Sequence, residues 1–216
     1  VLGYTNANLV DAIFEAVSGI TTTGSTVFSE LDKMPKGLLL WRGILQWLGG
    51  IGIIVVAMVF LPELRVGGMQ IFRAEGFDTL GKILPRATTI AFQISIIYVG
   101  ITIACGLAYV LAGMSFFDAV VHSFTTVATG GFSNYDGSFS VFSWQVEYVA
   151  ILFMILSALP FVRYVQLING QGTAVFKDPQ VKTFIFLICS LVVLSTLVLS
   201  LQLNLSFELV FRKALF

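Results

Sequence analysis

Residues 116–133 read F-F-D-A-V-V-H-S-F-T-T-V-A-T-G-G-F-S, and how this stretch meets a membrane decides the fold. Twelve largely apolar residues, Phe116–Val127, run directly into a cluster of small and polar residues at Ala128–Ser133. A helix needs roughly 20 residues to cross a hydrocarbon core of about 30 Å, so this one is too short to span. Non-helical backbone at membrane depth is tolerated only where it is buried in protein or lines a watery path. The stretch therefore reads as a re-entrant helix that turns back at its glycines.

The rest of the chain supplies the membrane setting. Of 216 residues, 57% are hydrophobic and 11% charged, and the mean hydropathy of +0.93 is too high for water to be the main solvent. Four runs are long enough to cross: Leu38–Leu61, Ala87–Ala112, Phe142–Leu167 and Thr183–Leu203. Leu9–Ile20 is a second short run, and a third opens at Phe207. Short cytoplasmic loops are rich in Lys and Arg. Arg65, Arg73, Lys82 and Arg86 lie between the first and second long helices, and Arg163, Lys177 and Lys182 between the third and fourth. Both segments fall on the cytoplasmic side only if Phe116–Val127 does not cross. The external stretches carry fewer basic residues, Lys33 and Lys36 before the first helix and none between Gly113 and Gln145. Trp41, Trp47 and Trp144 are expected as interfacial anchors. Balanced charge, 12 basic against 12 acidic residues, gives no pull toward nucleic acid. Cys105 and Cys189 sit in apolar runs, where a thiol acts as a small hydrophobe. The start at Val1 and the apolar pattern through Arg212–Phe216 suggest an internal piece of a longer chain.

Self-comparison yields a repeat. Leu9–Phe14 aligns with Phe116–Val121 at a shift of 107 residues, which also brings Thr22 onto Thr129 and Gly24 onto Gly131. A further copy opens at Leu205–Glu208, with Glu208 in the place of Asp11 and Asp118. All copies run in one direction, so their axis lies along the membrane normal, the arrangement of a pore. The expected fold is an all-α membrane protein: parallel repeats of transmembrane helix, re-entrant pore helix plus filter loop, and transmembrane helix around a central pore. Residues 1–61 then hold the pore helix, filter loop and second helix of repeat 1. Residues 62–86 are a cytoplasmic loop, 87–168 are repeat 2, 169–182 a second cytoplasmic loop, and 183–216 the first helix and start of the pore helix of repeat 3.

Freed carbonyls in such loops can replace the hydration shell of a cation. The candidate ion-binding residues are Thr22, Thr23, Gly24, Thr129, Gly130 and Gly131, with potassium held at Thr22, Thr23, Thr129 and Gly130. Gly24, Gly130 and Gly131 are the expected pivots, since turning successive carbonyls to one side needs angles that a Cβ resists. The pore helices would aim their partly negative C-terminal ends at the ion. One such loop alone reads more readily as a flexible turn; two copies in register favour a filter. Asp11, Asp118 and Glu208 are expected to cap pore helices. Arg42 and Gln46, one helical turn apart, either support the filter from behind or, for Arg42, snorkel to the interface. Glu15 and His122 occupy equivalent pore-helix positions and are expected to pack around the filter; a lone histidine is a poor metal candidate. Glu147 needs a protein partner or the interface, and Pro160 should kink the third long helix. The loop 62–86, with Gly67 and Gly68, suits an amphipathic segment or a docking surface, and Asn204-Leu205-Ser206 matches a glycosylation triplet. A secondary transporter of another solute would need inverted repeats. A membrane enzyme would need a motif such as G-x-S-x-G or H-E-x-x-H, and the sequence has neither.

Three stretches carry a family resemblance: Phe14–Thr26 (F-E-A-V-S-G-I-T-T-T-G-S-T), Trp41–Gly52 (W-R-G-I-L-Q-W-L-G-G-I-G) and His122–Ser133 (H-S-F-T-T-V-A-T-G-G-F-S). Together they resemble the Trk/Ktr/HKT potassium transporters, and among them the bacterial TrkH branch. The resemblance implies potassium uptake through four helix, pore-loop, helix repeats in one chain of the bacterial inner membrane. It implies no cofactor, with potassium as the transported substrate. It further implies a homodimer in the lipid bilayer, regulated by a cytoplasmic, TrkA-like nucleotide-binding ring protein. The glycines at 24 and 131 would belong to the selectivity filter, glycine in the first filter favouring potassium over sodium. The third and fourth filters, the gate and the basic pore residue of the family lie outside this sequence.

Overall fold

Capping fixes where the two short helices begin. The Asn8 side chain accepts the Asp11 N–H at 2.9 Å while the Asp11 carboxylate accepts the Asn8 N–H at 3.0 Å, a reciprocal capping box that opens helix α1, Leu9–Ile20. Ser115 accepts the Asp118 N–H at 3.2 Å and donates its hydroxyl to the Asp118 carboxylate at 2.7 Å, opening the other short helix at Phe116. Each has 12 residues, about 18 Å of helix, well short of a bilayer core.

The computed structural model describes residues 7–60, 87–170, 172–202 and 206–216. The loop expected at 62–86 and the first two residues of the Asn204 triplet lie outside the described residues. After α1 come α2 (Lys36–Phe60), α3 (Ala87–Leu111), α4 (Phe116–Val127), α5 (Trp144–Ala158), α6 (Phe161–Ile168), α7 (Ala174–Lys177), α8 (Pro179–Gln202) and α9 (Phe207–Leu215). Short 3-10 turns stand at Leu31–Lys33 and Ser138–Val141. The chain is a multi-pass, all-helical membrane protein.

Helix α2 touches α1, α3 and α4, and so joins the two short helices, while α3 also meets α4, α5 and α6. Its glycines permit this. A Cβ on Gly49 would fall on the Ile20 carbonyl at the end of α1, and one on Gly50 would come within 3.0 Å of Ala128 at the end of α4. One helix thus reaches the ends of both short helices because it carries small residues there. Behind this contact lies an apolar core that includes Ile94, Tyr98, Tyr109, Val127, Val146 and Ala150.

Two expectations are corrected. Trp47 is not an interfacial anchor: its ring packs between Tyr98 and Phe124, tilted 42° and 40° to them, and its Nε1–H donates to Thr102 Oγ1 at 3.0 Å. Trp41 and Trp144 are the half-exposed ones. The third long helix is not continuous through Leu167 but breaks into α5 and α6 at Leu159–Pro160 with an 85° bend. Leu159, preceding proline, is extended at ψ 149, and Pro160 has no N–H to give the Leu156 carbonyl. That carbonyl accepts the Leu159 N–H at 3.3 Å and the Tyr164 hydroxyl at 2.6 Å instead, so the break leaves no orphaned acceptor there. On the next turn of chain, Arg163 pairs with Asp178, whose other oxygen accepts the Gln180 N–H at 2.7 Å at the start of α8. Helix α8 itself packs on α7 and α9 and exposes Phe186, Leu191, Leu194 and Leu197, an apolar surface suited to a membrane.

Glu208 departs from its expected capping role. It lies in the first turn of α9, but its carboxylate sits 3.2 Å from Arg212 Nε and accepts from the Tyr148 hydroxyl at 3.5 Å. The register explains it: Glu208 is two residues after the N-cap Ser206, whereas Asp11 and Asp118 stand three after Asn8 and Ser115, where a carboxylate reaches back.

Candidate ion-binding loops

Helices α1 and α4 unwind in the same way, bond for bond. The N–H of Thr22 donates to the Gly19 carbonyl at 3.0 Å, and that of Thr129 to Thr126 at 3.0 Å. The Thr23 and Gly24 N–H groups converge on the Ser18 carbonyl at 3.0 and 3.5 Å; those of Gly130 and Gly131 converge on Thr125 at 2.9 and 3.4 Å. The φ angles repeat too, +56° at Thr22 and +53° at Thr129, +78° at Gly24 and +79° at Gly131. A β-branched residue in the left-handed region is a conformational outlier, and outliers of this kind concentrate at functional sites. Here the same outlier occurs twice, at positions 107 residues apart.

This geometry corrects the expected pivots. Gly24 and Gly131 have positive φ, but the other left-handed residue in each loop is a threonine, and Gly130 is not among the positive-φ residues. Gly130 needs to be small for another reason: a Cβ there would fall on the Gln46 side chain. A Cβ on Gly24 would fall on the Gly130 carbonyl, so the two loops touch backbone to backbone at that point.

Behind the loops, α2 contributes Arg42 and Gln46. Arg42 is 2% exposed and does not snorkel. Its Nε–H donates to Glu15 at 2.7 Å, and its two terminal nitrogens to the Ser133 carbonyl at 3.0 Å and the Thr26 hydroxyl at 3.2 Å. The guanidinium lies over the Phe132 ring, 4.2 Å from its centre. One cation therefore ties the first loop to the second, and the Glu15 carboxylate neutralises it. Gln46, fully buried, accepts the Phe132 N–H at 3.0 Å. Its Nε2 has no hydrogen-bond partner among the described residues and faces Gly24 and Gly130.

The equivalent pore-helix residues Glu15 and His122 do equivalent jobs with different chemistry. Glu15 accepts the Thr26 hydroxyl at 2.8 Å and the Val27 N–H at 3.2 Å. His122 lies 2.9 Å from the Asp118 carbonyl through Nδ1 and 3.2 Å from the Ser133 hydroxyl through Nε2. A carbonyl can only accept, so Nδ1 carries the proton in that bond. The ring is edge-on to Phe139 and Phe142. Asp118 gathers Asn134 at 2.9 Å and Tyr135 at 3.0 Å, and Asp136 accepts the Glu30 and Leu31 N–H groups at 2.9 and 3.2 Å. The stretches that follow the two loops are joined by that last contact.

Sequence reading did not single out Thr26 and Ser133. The signal was present, because the shift of 107 that pairs Glu15 with His122 also pairs these two hydroxyls. Nor did it join all the candidates. Asp11 and Glu208 stand apart from the loops, in the first turns of α1 and α9. Thr129, Gly130 and Gly131 line a cavity of about 550 Å³ together with Met154, Phe184 and Phe216.

Comparison with known proteins sets this arrangement in a context. A family profile described as "TrkH: Cation transport protein" matches residues 3–212. The chain is 45% identical over 199 residues to the Trk system potassium uptake protein TrkI of Halomonas elongata, covering 91% of this chain and 40% of that protein. It is 43% identical over 198 residues to the Trk system potassium uptake protein TrkH of Escherichia coli, covering 90% and 41%. The crystal structure of the potassium transporter TrkH from Vibrio parahaemolyticus superposes with a TM-score of 0.83 at 37% identity, over 97% of this chain and 43% of that one. The chain thus spans about 40% of the length of the curated relatives it matches.

Proposed function

This chain belongs to the TrkH family of cation transport proteins, and from that premise we propose that it supplies two filter loops of a potassium uptake pathway in a bacterial inner membrane. The observation that carries the reading is the bond-for-bond match of Thr22–Gly24 with Thr129–Gly131, each with a left-handed threonine and glycine flanking one residue that is not left-handed. In a strand, successive carbonyls point to opposite sides. Alternating the sign of φ turns them toward one side, which is what replacing a hydration shell requires. Oxygens of Thr22, Thr23, Thr129 and Gly130 coordinate potassium in this scheme, and Gly24 and Gly131 complete the two strands.

Electrostatics supports the same reading. Helices α1 and α4 end immediately before the loops, so their partly negative C-terminal ends face the ion. Arg42 stiffens both loops without repelling a cation, because Glu15 cancels its charge within 2.7 Å. The segments 1–61 and 87–168 are assigned as the first two repeats, with 183–216 opening a third, joined by cytoplasmic loops at 62–86 and 169–182. The whole protein is proposed to act as a homodimer with a cytoplasmic nucleotide-binding ring protein, the loop at 62–86 being a candidate contact.

The test is growth at low potassium of a bacterium stripped of its own potassium uptake systems, carrying the gene for this chain at full length or its Gly24→Ser or Gly131→Ser variant. Rescue by the parent that weakens, or admits sodium, in both variants is the expected result. A parent present in the membrane with its regulatory partner that gives no rescue contradicts the proposal.

A further inference from the structure

The filter reading absorbs Arg42 and Glu15 but leaves a second buried ionic group unused. Glu147 on α5 is 2% exposed, and its carboxylate pairs with two cations of α9, Arg212 through Oε2 and Lys213 through Oε1. Arg212 in turn lies 3.2 Å from Glu208 on its own helix. Glu208 accepts the hydroxyl of Tyr148, the neighbour of Glu147, at 3.5 Å. Two carboxylates and two cations close into a neutral group between α5 and α9. An uncompensated charge at such a site is costly, so the buried pair Glu147 and Arg212 is committed to one arrangement, with Lys213 and Glu208 at its more exposed edge.

What that arrangement positions is visible on the same turn of α9, directly after the two cations. Leu215 and Phe216 line the same cavity as Thr129, Gly130 and Gly131, and Phe216 packs against Phe139 with ring centres 5.2 Å apart. The turn of α9 that carries Arg212 and Lys213 therefore also brings Leu215 and Phe216 to the cavity beside the second loop. The pattern parallels α2, which follows the first loop and grips the second through Arg42 and Gln46. Helix α5 follows the second loop and grips α9 through Glu147.

We propose that Glu147 is a positioning residue for ion selection: by holding Arg212 and Lys213 it sets where that turn of α9, with Leu215 and Phe216, sits beside the second filter loop. This rests on the filter reading above. It assigns Glu147 no contact with the ion; its effect is transmitted through the position of a helix end.

The experiment measures rubidium uptake and its competition by sodium for the full-length protein, the Glu147→Gln variant and the Glu147→Gln/Arg212→Gln double variant. Parental uptake must be present; its absence would overturn the filter reading and this proposal with it. The expected result is Glu147→Gln protein in the membrane at parental level with discrimination against sodium reduced about tenfold, partly regained when Arg212 is also neutralised. Lys213→Gln is measured alongside, since a side chain 46% exposed tolerates neutralisation without unfolding. It should lower discrimination about threefold. An active parent with parental discrimination in Lys213→Gln and in any Glu147→Gln protein that reaches the membrane overturns the proposal while leaving the filter reading intact.

Discussion

Thr22–Gly24 and Thr129–Gly131 share φ angles and hydrogen bonds, yet one is braced by charge and the other by neutral groups. Behind the first, Glu15 and Arg42 form a buried ion pair that also holds Thr26. Behind the second, a His122 to Ser133 hydrogen bond is walled in by Phe139 and Phe142. Burial differs in step: Ser25 and Thr26 are exposed while Phe132 and Ser133 are buried. A strained backbone does not dictate the chemistry of its support, only that the support be complete. Arg42 is the point where the two solutions join, because it donates to Ser133 of the second loop as well as to Glu15 of the first.

The comparison can be broken most severely at that junction. Arg42→Ala leaves Glu15 buried without its counter-charge and frees the Ser133 carbonyl, a loss of about 3–5 kcal/mol by the usual cost of breaking a buried pair. Rubidium uptake should be abolished and the melting temperature of the solubilised protein should fall; a variant with parental uptake would show that the loops are not tied through α2. Next come the paired glycines. Gly24→Ala meets both a positive φ and the Gly130 carbonyl, whereas Gly131→Ala meets a positive φ with nothing within 4 Å of the new Cβ. The second should cost about 1–2 kcal/mol for left-handed strain alone and the first clearly more. Thermal unfolding of the two side by side separates clash from strain, and equal losses would refute the contact between the loops.

The smallest effects sharpen the contrast in support. Thr26→Val removes a hydrogen bond to an ionised carboxylate, for which about 1.5–3 kcal/mol is typical, and Ser133→Ala removes one to a neutral imidazole, about 0.5–1.5 kcal/mol. Denaturant or thermal titration of both should rank Thr26→Val as the more harmful, although its site is the more exposed. The reverse order would mean that the second loop depends on its histidine more than the first depends on its ion pair.

Much of this fold was legible because bilayer thickness constrains helix length. Leu9–Ile20 and Phe116–Val127 stand out as twelve-residue helices for want of apolar length, and glycine with threonine marks their ends. Pro160 announced a disturbance, but not its size: the 85° break comes with a Leu156 carbonyl shared by the Leu159 N–H and the Tyr164 hydroxyl, a pairing that no local pattern reveals. Trp47 misled because tryptophan suits an interface and an interior hydrogen bond equally well; its place in the middle of α2 and its neighbours Tyr98 and Thr102 decide for the interior. The exchange of roles between Gly130 and the left-handed threonines was hidden for a similar reason. A glycine in sequence does not reveal whether it is needed for its φ or for the room it leaves Gln46. The partners of Glu147 were out of reach because they lie 65 and 66 residues along the chain with no pattern linking them.

The central proposal is that the two matched loops belong to one potassium filter. Its most direct test is rubidium uptake by the full-length protein in rising sodium, measured for the parent, Gly24→Ala and Gly131→Ala. The account predicts a parent that excludes sodium and two variants that each lose that exclusion, Gly24→Ala with the lower residual uptake. Variants that reach the membrane and discriminate as well as the parent would contradict it.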